Sequence, residues 1–137
     1  MLHGSERRPL VVVVDDDVSV RDFLPHLLHE FGFDALAFAS PEEFLRSACL
    51  GRSDCLLLDI VMPGMSGVDL QDLLSRSQQA IPIVFITGEA DQSVRARVLA
   101  ACAVEVLFKP FSDSALFSAV TAALQASRRQ RVDRRTP

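Results

Sequence analysis

The chain is predicted to fold as one α/β domain in which five parallel strands alternate with five helices, a doubly wound (βα)5 sheet. Three observations predict this. Five short aliphatic and β-branched blocks, at 10–14, 35–38, 55–58, 81–86 and 104–108, have the length and near-continuous apolarity of strands covered on both faces. Helical periodicity fills the gaps between them. The chain has 137 residues, 49% of them hydrophobic, which is enough for one core and leaves little for a second.

Residues 1–8 lack apolar periodicity and are expected to be disordered, with the domain running over 9–126. The first strand ends in Asp15-Asp16-Asp17. A helix follows, with Val20, Phe23, Leu24, Leu27, Leu28 and Phe31 at spacings of three, four and seven, and it stops at Gly32. Pro25 lies inside that pattern, where it deletes a backbone hydrogen bond at a cost of roughly 3 kcal/mol, so a kink is expected rather than a break. The second helix opens with Ser40-Pro41-Glu42-Glu43. The serine can cap, the proline suits the first turn and Glu43 can complete a capping box.

A third helix follows Gly67 with Val68, Leu70, Leu73 and Leu74, a fourth covers 91–101, and a fifth carries Leu116, Phe117, Val120, Ala123 and Leu124. Right-handed βαβ crossovers place helices on both faces of a parallel sheet. For five strands the flavodoxin-like arrangement, with strand order 2-1-3-4-5, is the expected one.

Charge and cysteine usage narrow the functional classes. The net charge of −4 divides into +4 on residues 128–137, which hold five arginines and one aspartate, and −8 on the remainder. That basic stretch lacks aromatic interleaving and any DNA-binding motif, so 127–137 is expected to be a solvated tail or linker stub, with no direct nucleic-acid binding by this segment. The apolar run at 9–14 is far too short to span a bilayer, and no signal peptide or membrane segment is expected. Cys49, Cys55 and Cys102 are widely spaced among apolar neighbours, as reduced core thiols would be, which makes a cytoplasmic location the expectation. His26 and His29 sit three apart on the first helix without an evident third ligand, and a metal site there is not expected.

In an open parallel sheet, ligands bind beyond the carboxyl ends of the strands. Here those ends are Asp15-Asp16-Asp17, Asp59, Thr87 and Lys109-Pro110, and Lys109 is the chain's single lysine beside thirteen arginines. Carboxylates gathered at one edge repel and raise one another's pKa unless cations compensate. Lys109 supplies one positive charge, and a divalent ion would supply the rest. An all-oxygen site suits Mg²⁺ (or Mn²⁺), which keeps part of its water shell and commonly bridges to phosphate oxygens. Asp59 is then a candidate nucleophile toward a phosphoryl group, with Lys109 and the Thr87 hydroxyl sharing its oxygens. The triple aspartate taken alone is equally a solvated helix start favoured by the helix dipole, and Thr87 alone is an ordinary strand residue. Their conjunction with Asp59 and Lys109 favours the chemical reading.

The segments VVVVDDD, LLLDIVMPGMSG, VFITG and VLFKPF, in that order and at those separations, resemble the receiver domain of two-component response regulators, the CheY-like family, over roughly residues 9–126. The resemblance implies that Asp15 and Asp16 hold Mg²⁺ together with Asp59 and the Val61 carbonyl, and that Asp59 is the phosphoacceptor. It also implies that Thr87 is the switch hydroxyl and that Lys109 precedes a cis Pro110. Asp17 falls outside the acidic pair, and Glu89 is expected to border the pocket. Val106 stands where many receivers carry Tyr or Phe, and Cys102 where the family often has glycine. The TG-E-A-D and KPF stretches loosely resemble FixJ-like receivers that precede LuxR-type DNA-binding domains.

By that resemblance the expected partner is a histidine kinase or phosphotransfer protein, and the expected output surface is the fourth helix, fifth strand and fifth helix, which could also serve a homodimer. Val98, Leu99 and Leu107 could face either core or partner. Two other functions compete. A phosphatase with an aspartyl-phosphate intermediate wants a general acid two residues after the nucleophile, and position 61 is valine. A phosphorylation-independent receiver-like adaptor or dimerisation module would have no need of the full acidic, Thr and Lys set. The expectation is a switch with at most slow self-dephosphorylation, not an enzyme.

Overall fold

Strand sequences as apolar as LVVVV and CLLLD have no face to leave in water, and every residue of both is buried. The computed structural model describes residues 8–77, 79–88, 96 and 104–135. Strands β1 (Leu10–Val14), β2 (Asp34–Phe38), β3 (Cys55–Asp59), β4 (Ile83–Thr87) and β5 (Glu105–Phe108) alternate with helices α1 (Val18–Glu30), α2 (Pro41–Arg46) and α3 (Gly67–Arg76). A short 3₁₀ turn at Leu50–Arg52 precedes β3, and a C-terminal helix spans Asp113–Arg135. All strand pairs are parallel and the order is β2-β1-β3-β4-β5, the flavodoxin-like arrangement.

Alternation along the strands divides the core into two layers. Val11, Val13, Leu57 and Ile86 face Leu24 and Leu28 of α1 and Leu116 and Val120 of the C-terminal helix. Val12, Leu58 and Phe85 face Phe44 of α2 and Leu70 of α3. β2 differs because it is an edge strand, half-buried throughout, with Leu36 exposed. Cys55 is buried and Cys49 half-buried, both as free thiols, and burial pushes the Cys55 thiol up.

The helix ends follow local chemistry. α1 runs unbroken through Pro25. The chain leaves it through Gly32, whose φ of 100° lies in the region that favours glycine. Ser40 caps α2 by accepting from the Glu43 N–H at 3.2 Å. The Glu43 carboxylate reaches back one residue further than a capping box requires, accepting from the Ala39 N–H at 3.4 Å. A full capping box forms instead at α3, between Ser66 and Asp69.

Arg8, counted with the disordered segment in the sequence reading, donates to the His29 carbonyl at 2.9 Å and the Gly32 carbonyl at 3.0 Å, and lies 3.7 Å from the Asp34 carboxylate. At the other end, the C-terminal helix carries the backbone of the basic segment on to Arg135. The helix expected over 91–101, including Val98 and Leu99, lies outside the described residues apart from Ala96. So do Glu89, Cys102 and residues 1–7.

One close approach positions the edge of the sheet. A Cβ on Gly67 would run into the backbone carbonyl oxygen of Asp59, and would come within 3.1 Å of both Ile60 Cα and the Phe85 ring. The Gly67 N–H also donates to the Ile60 carbonyl at 3.1 Å, so α3 starts pressed against the end of β3. Gly67→Ala is therefore expected to cost about 3 kcal/mol through overpacking. Gly51→Ala, with nothing within 4 Å of the added Cβ, should stay within about 0.5 kcal/mol of wild type. Urea denaturation midpoints check this, and equal midpoints for the two variants would refute the close-packing argument.

Candidate functional site

Parallel pairing brings the carboxyl ends of neighbouring strands level. Val14 pairs with Leu58, Asp59 with Ile86, and Thr87 with Phe108. Asp15, Asp59, Thr87 and Lys109 are consequently gathered along one edge by strands whose apolar residues are locked in the core. Asp15 is fully buried, Asp59 and Thr87 are buried, and Asp16 is exposed. One carboxylate oxygen from each of Asp15, Asp16 and Asp59 lies within 4.8 Å of the others. The peptide bond between Lys109 and Pro110 is cis, as the resemblance implied.

Every polar atom of Asp15 is engaged. Its N–H donates to the Phe38 carbonyl at 3.1 Å. Its Oδ1 accepts from the Asp17 N–H at 2.9 Å and its Oδ2 from Lys109 Nζ at 3.1 Å. Its carbonyl oxygen accepts from Arg21 Nη1 at 3.0 Å. Lys109 thus crosses from the far side of the sheet edge to a residue 94 positions away, and its own N–H donates to the Thr87 carbonyl at 2.8 Å.

Burial, and next the neighbouring Asp15 charge, push the Asp59 carboxyl up to about 6; Lys109 and the Val61 N–H, 3.3 Å from Oδ1, pull it back only in part. Asp17 takes a different part. It caps α1, and the Ser19 hydroxyl and N–H on its carboxylate hold its pKa below the usual value.

All five sequence-selected side chains therefore meet at one edge, and Val61 follows in the loop leaving β3 with its side chain 62% exposed. Three supporting features escaped the sequence reading: the Asp17 N–H on Asp15, the Arg21 guanidinium on the Asp15 carbonyl, and Gly67 beneath Asp59. The first had a legible signal, since an aspartate side chain readily accepts from the backbone N–H two residues on. The other two depend on contacts between segments.

The donor set fits a hard divalent cation. It consists of oxygens alone, and its three carboxylates carry more negative charge than Lys109 neutralises.

Comparison with known proteins agrees with this geometry. Residues 11–121 match the family described as response regulator receiver domain. The chain is 41% identical over 132 residues to nodulation protein W of Bradyrhizobium diazoefficiens, covering 96% of this chain and 58% of that protein. It superposes on the structure of response regulator StyR with a TM-score of 0.87 and 42% identity, covering 95% of this chain and 66% of that one. On the structure titled FIXJ-N the TM-score is 0.78 at 33% identity, with 88% and 96% covered. The chain belongs to the response regulator receiver family, CheY-like in fold, whose members are phosphoacceptor switches partnered by histidine kinases. It spans a little over half the length of the curated relatives it matches. Among the described residues, no helix is long and apolar enough to cross a membrane.

The raised Asp59 pKa has a stability consequence with a definite sign. Between the ordinary value of 3.8 and about 6, the folded state holds a proton that the unfolded state has lost, so stability falls as pH rises through that window. Without divalent cations, Asp59→Asn should match wild type near pH 4 and be the more stable protein at pH 8. Allowing for solvent screening, the gain is about 1 kcal/mol, or roughly 4 °C in Tm for a domain this size. Thermal melts in chelator across pH 4–8 measure it, and a gap independent of pH would refute the electrostatic account.

Proposed function

We propose that this chain is a phosphorylation switch in which Asp59 accepts a phosphoryl group from a histidine kinase or phosphotransfer protein. The observation that carries the reading is the Asp15–Asp16–Asp59 cluster with the only lysine bonded into it. With its pKa near 6, Asp59 is mostly ionised at neutral pH and able to attack phosphorus. An Asp59 oxygen forms the new P–O bond as the donor's P–N bond breaks, and the departing imidazole takes up a proton.

Asp15, Asp16, Asp59 and the Val61 carbonyl would hold Mg²⁺ or Mn²⁺, which supplies the positive charge that offsets the phosphoryl oxygens. Lys109, already in place on Asp15, supplies a fixed charge beside them, and the Thr87 hydroxyl at the end of β4 offers a neutral donor. The absence of an acid at position 61 favours a switch with at most slow self-dephosphorylation over a turning-over phosphatase.

The switching unit occupies 9–126, consistent with a family match over 11–121 and a core that extends to Leu124. Its output surface includes β5, the C-terminal helix and the helix expected between β4 and β5, and that surface would also serve a homodimer. Residues 127–137 are a basic tail or linker stub. In the longer relatives described as transcriptional regulatory proteins, such as FixJ, a further segment accompanies the matched one.

Incubation with acetyl phosphate, read by intact mass, tests the assignment. The expected result is one phosphoryl group per wild-type chain, not formed when chelator is present from the start and absent from Asp59→Asn. Labelling that persists in Asp59→Asn refutes the site. Failure of the wild-type chain to label with either acetyl phosphate or a phosphorylated histidine donor favours the phosphorylation-independent adaptor.

A further inference from the structure

We infer that Arg21 is a positioning residue for the divalent cation, acting through the peptide plane between Asp15 and Asp16; the inference rests on the cation site proposed above. Asp16 is the exposed member of the acidic cluster. Among the described hydrogen bonds, none reaches its carboxylate, so the backbone alone aims it. The direction of its Cα–Cβ bond is set by the peptide unit that joins it to Asp15, and the carbonyl oxygen of that unit is the atom on which Arg21 Nη1 sits at 3.0 Å.

Arg21 is itself firmly placed. Its N–H donates to the Asp17 carbonyl at 3.1 Å in the first turn of α1, and Asp17 caps that turn through Ser19. Asp15 itself is anchored on the N-terminal side of that peptide unit, by its N–H on the Phe38 carbonyl and by its carboxylate on Lys109 and the Asp17 N–H. Arg21 therefore holds the carbonyl oxygen of the peptide unit that presents Asp16. Residues that orient metal ligands without touching the metal typically contribute about 10- to 100-fold in affinity.

The guanidinium also brings a positive charge toward a cation site, and that effect has the opposite sign. Removing the charge alone would tighten Mg²⁺ binding, whereas losing the clamp weakens it. The direction of change in one variant therefore separates the two roles.

Calorimetric titration of the unphosphorylated 137-residue chain with Mg²⁺ is the test. Arg21→Met is expected to weaken binding about tenfold. Arg21→Lys, which keeps a donor and the charge, should recover most of it. In acetyl phosphate labelling, Arg21→Met should raise the half-saturating Mg²⁺ concentration by the same factor and leave the rate at saturating Mg²⁺ near wild type. Unchanged or tighter Mg²⁺ binding overturns the inference, as does a lowered maximal rate with an unmoved Mg²⁺ dependence. If Arg21→Met does not fold, Arg21→Ala, which also lacks a donor, takes its place, and wild-type affinity in that variant overturns the inference too. Because titration needs no phosphodonor, the result stands apart from whether Asp59 is phosphorylated.

Discussion

The carboxyl edge of this sheet is organised around a charge conflict. Two buried aspartates, Asp15 and Asp59, occupy the ends of adjacent strands, and Lys109 bonds to only one of them. At an effective dielectric of about 20, two like charges about 5 Å apart repel by roughly 3 kcal/mol. That is a large share of the stability of a typical small domain. The fold contains this repulsion by donating peptide N–H groups from Asp17 and Val61 and by drawing Lys109 across the strand ends, while burial, and next the Asp15 charge, makes the Asp59 proton easier to retain. When the carboxylates are ionised these contacts leave negative charge in excess, which a divalent cation would offset.

Holding that conflict in place requires strands that do not yield. β1, β3 and β4 are buried along their whole length and stacked between two helical layers, so the side chains at their ends inherit the rigidity of the core. Gly67 extends the same logic to the loop beyond β3. Because α3 begins against the Asp59 carbonyl, the backbone carrying the candidate nucleophile is confined from the helix side as well as by its strand partners. The aliphatic strands and the acidic edge are one design, in which apolar packing holds charges in place at an edge where they repel.

Much of this was legible in the sequence because it depends on local pattern. Continuous apolar blocks marked the buried strands, and the polar residues ending them marked the site. What escaped depends on tertiary contact. The lower burial of β2 follows from its edge position, which its own composition does not declare. The Glu43 side chain met the Ala39 N–H instead of completing a box at Ser40, a difference of one residue in reach. The pairing of Lys109 with Asp15 joins residues 94 apart, and charge counting alone showed only that some acid at the edge would take it. Arg21 on a backbone carbonyl leaves no trace in charge or periodicity, because any residue at position 15 would present the same oxygen.

The fifth strand shows how the same constraints shape communication away from the site. Val106 pairs with Phe85 and is buried on the α3 side of the sheet, in the position where an aromatic side chain would have an inward and an outward rotamer to choose between. A β-branched valine is restricted at χ1 and already packed, so it offers no such choice. What joins β4 to β5 at the site is the backbone: Thr87 pairs with Phe108, and the Lys109 N–H donates to the Thr87 carbonyl at 2.8 Å. Thr87, the end of β5 and Lys109 are thereby tied together through main-chain hydrogen bonding. The connection between the acidic edge and β5 that the structure holds is backbone pairing, while Val106 is a packed, β-branched side chain with little rotameric freedom.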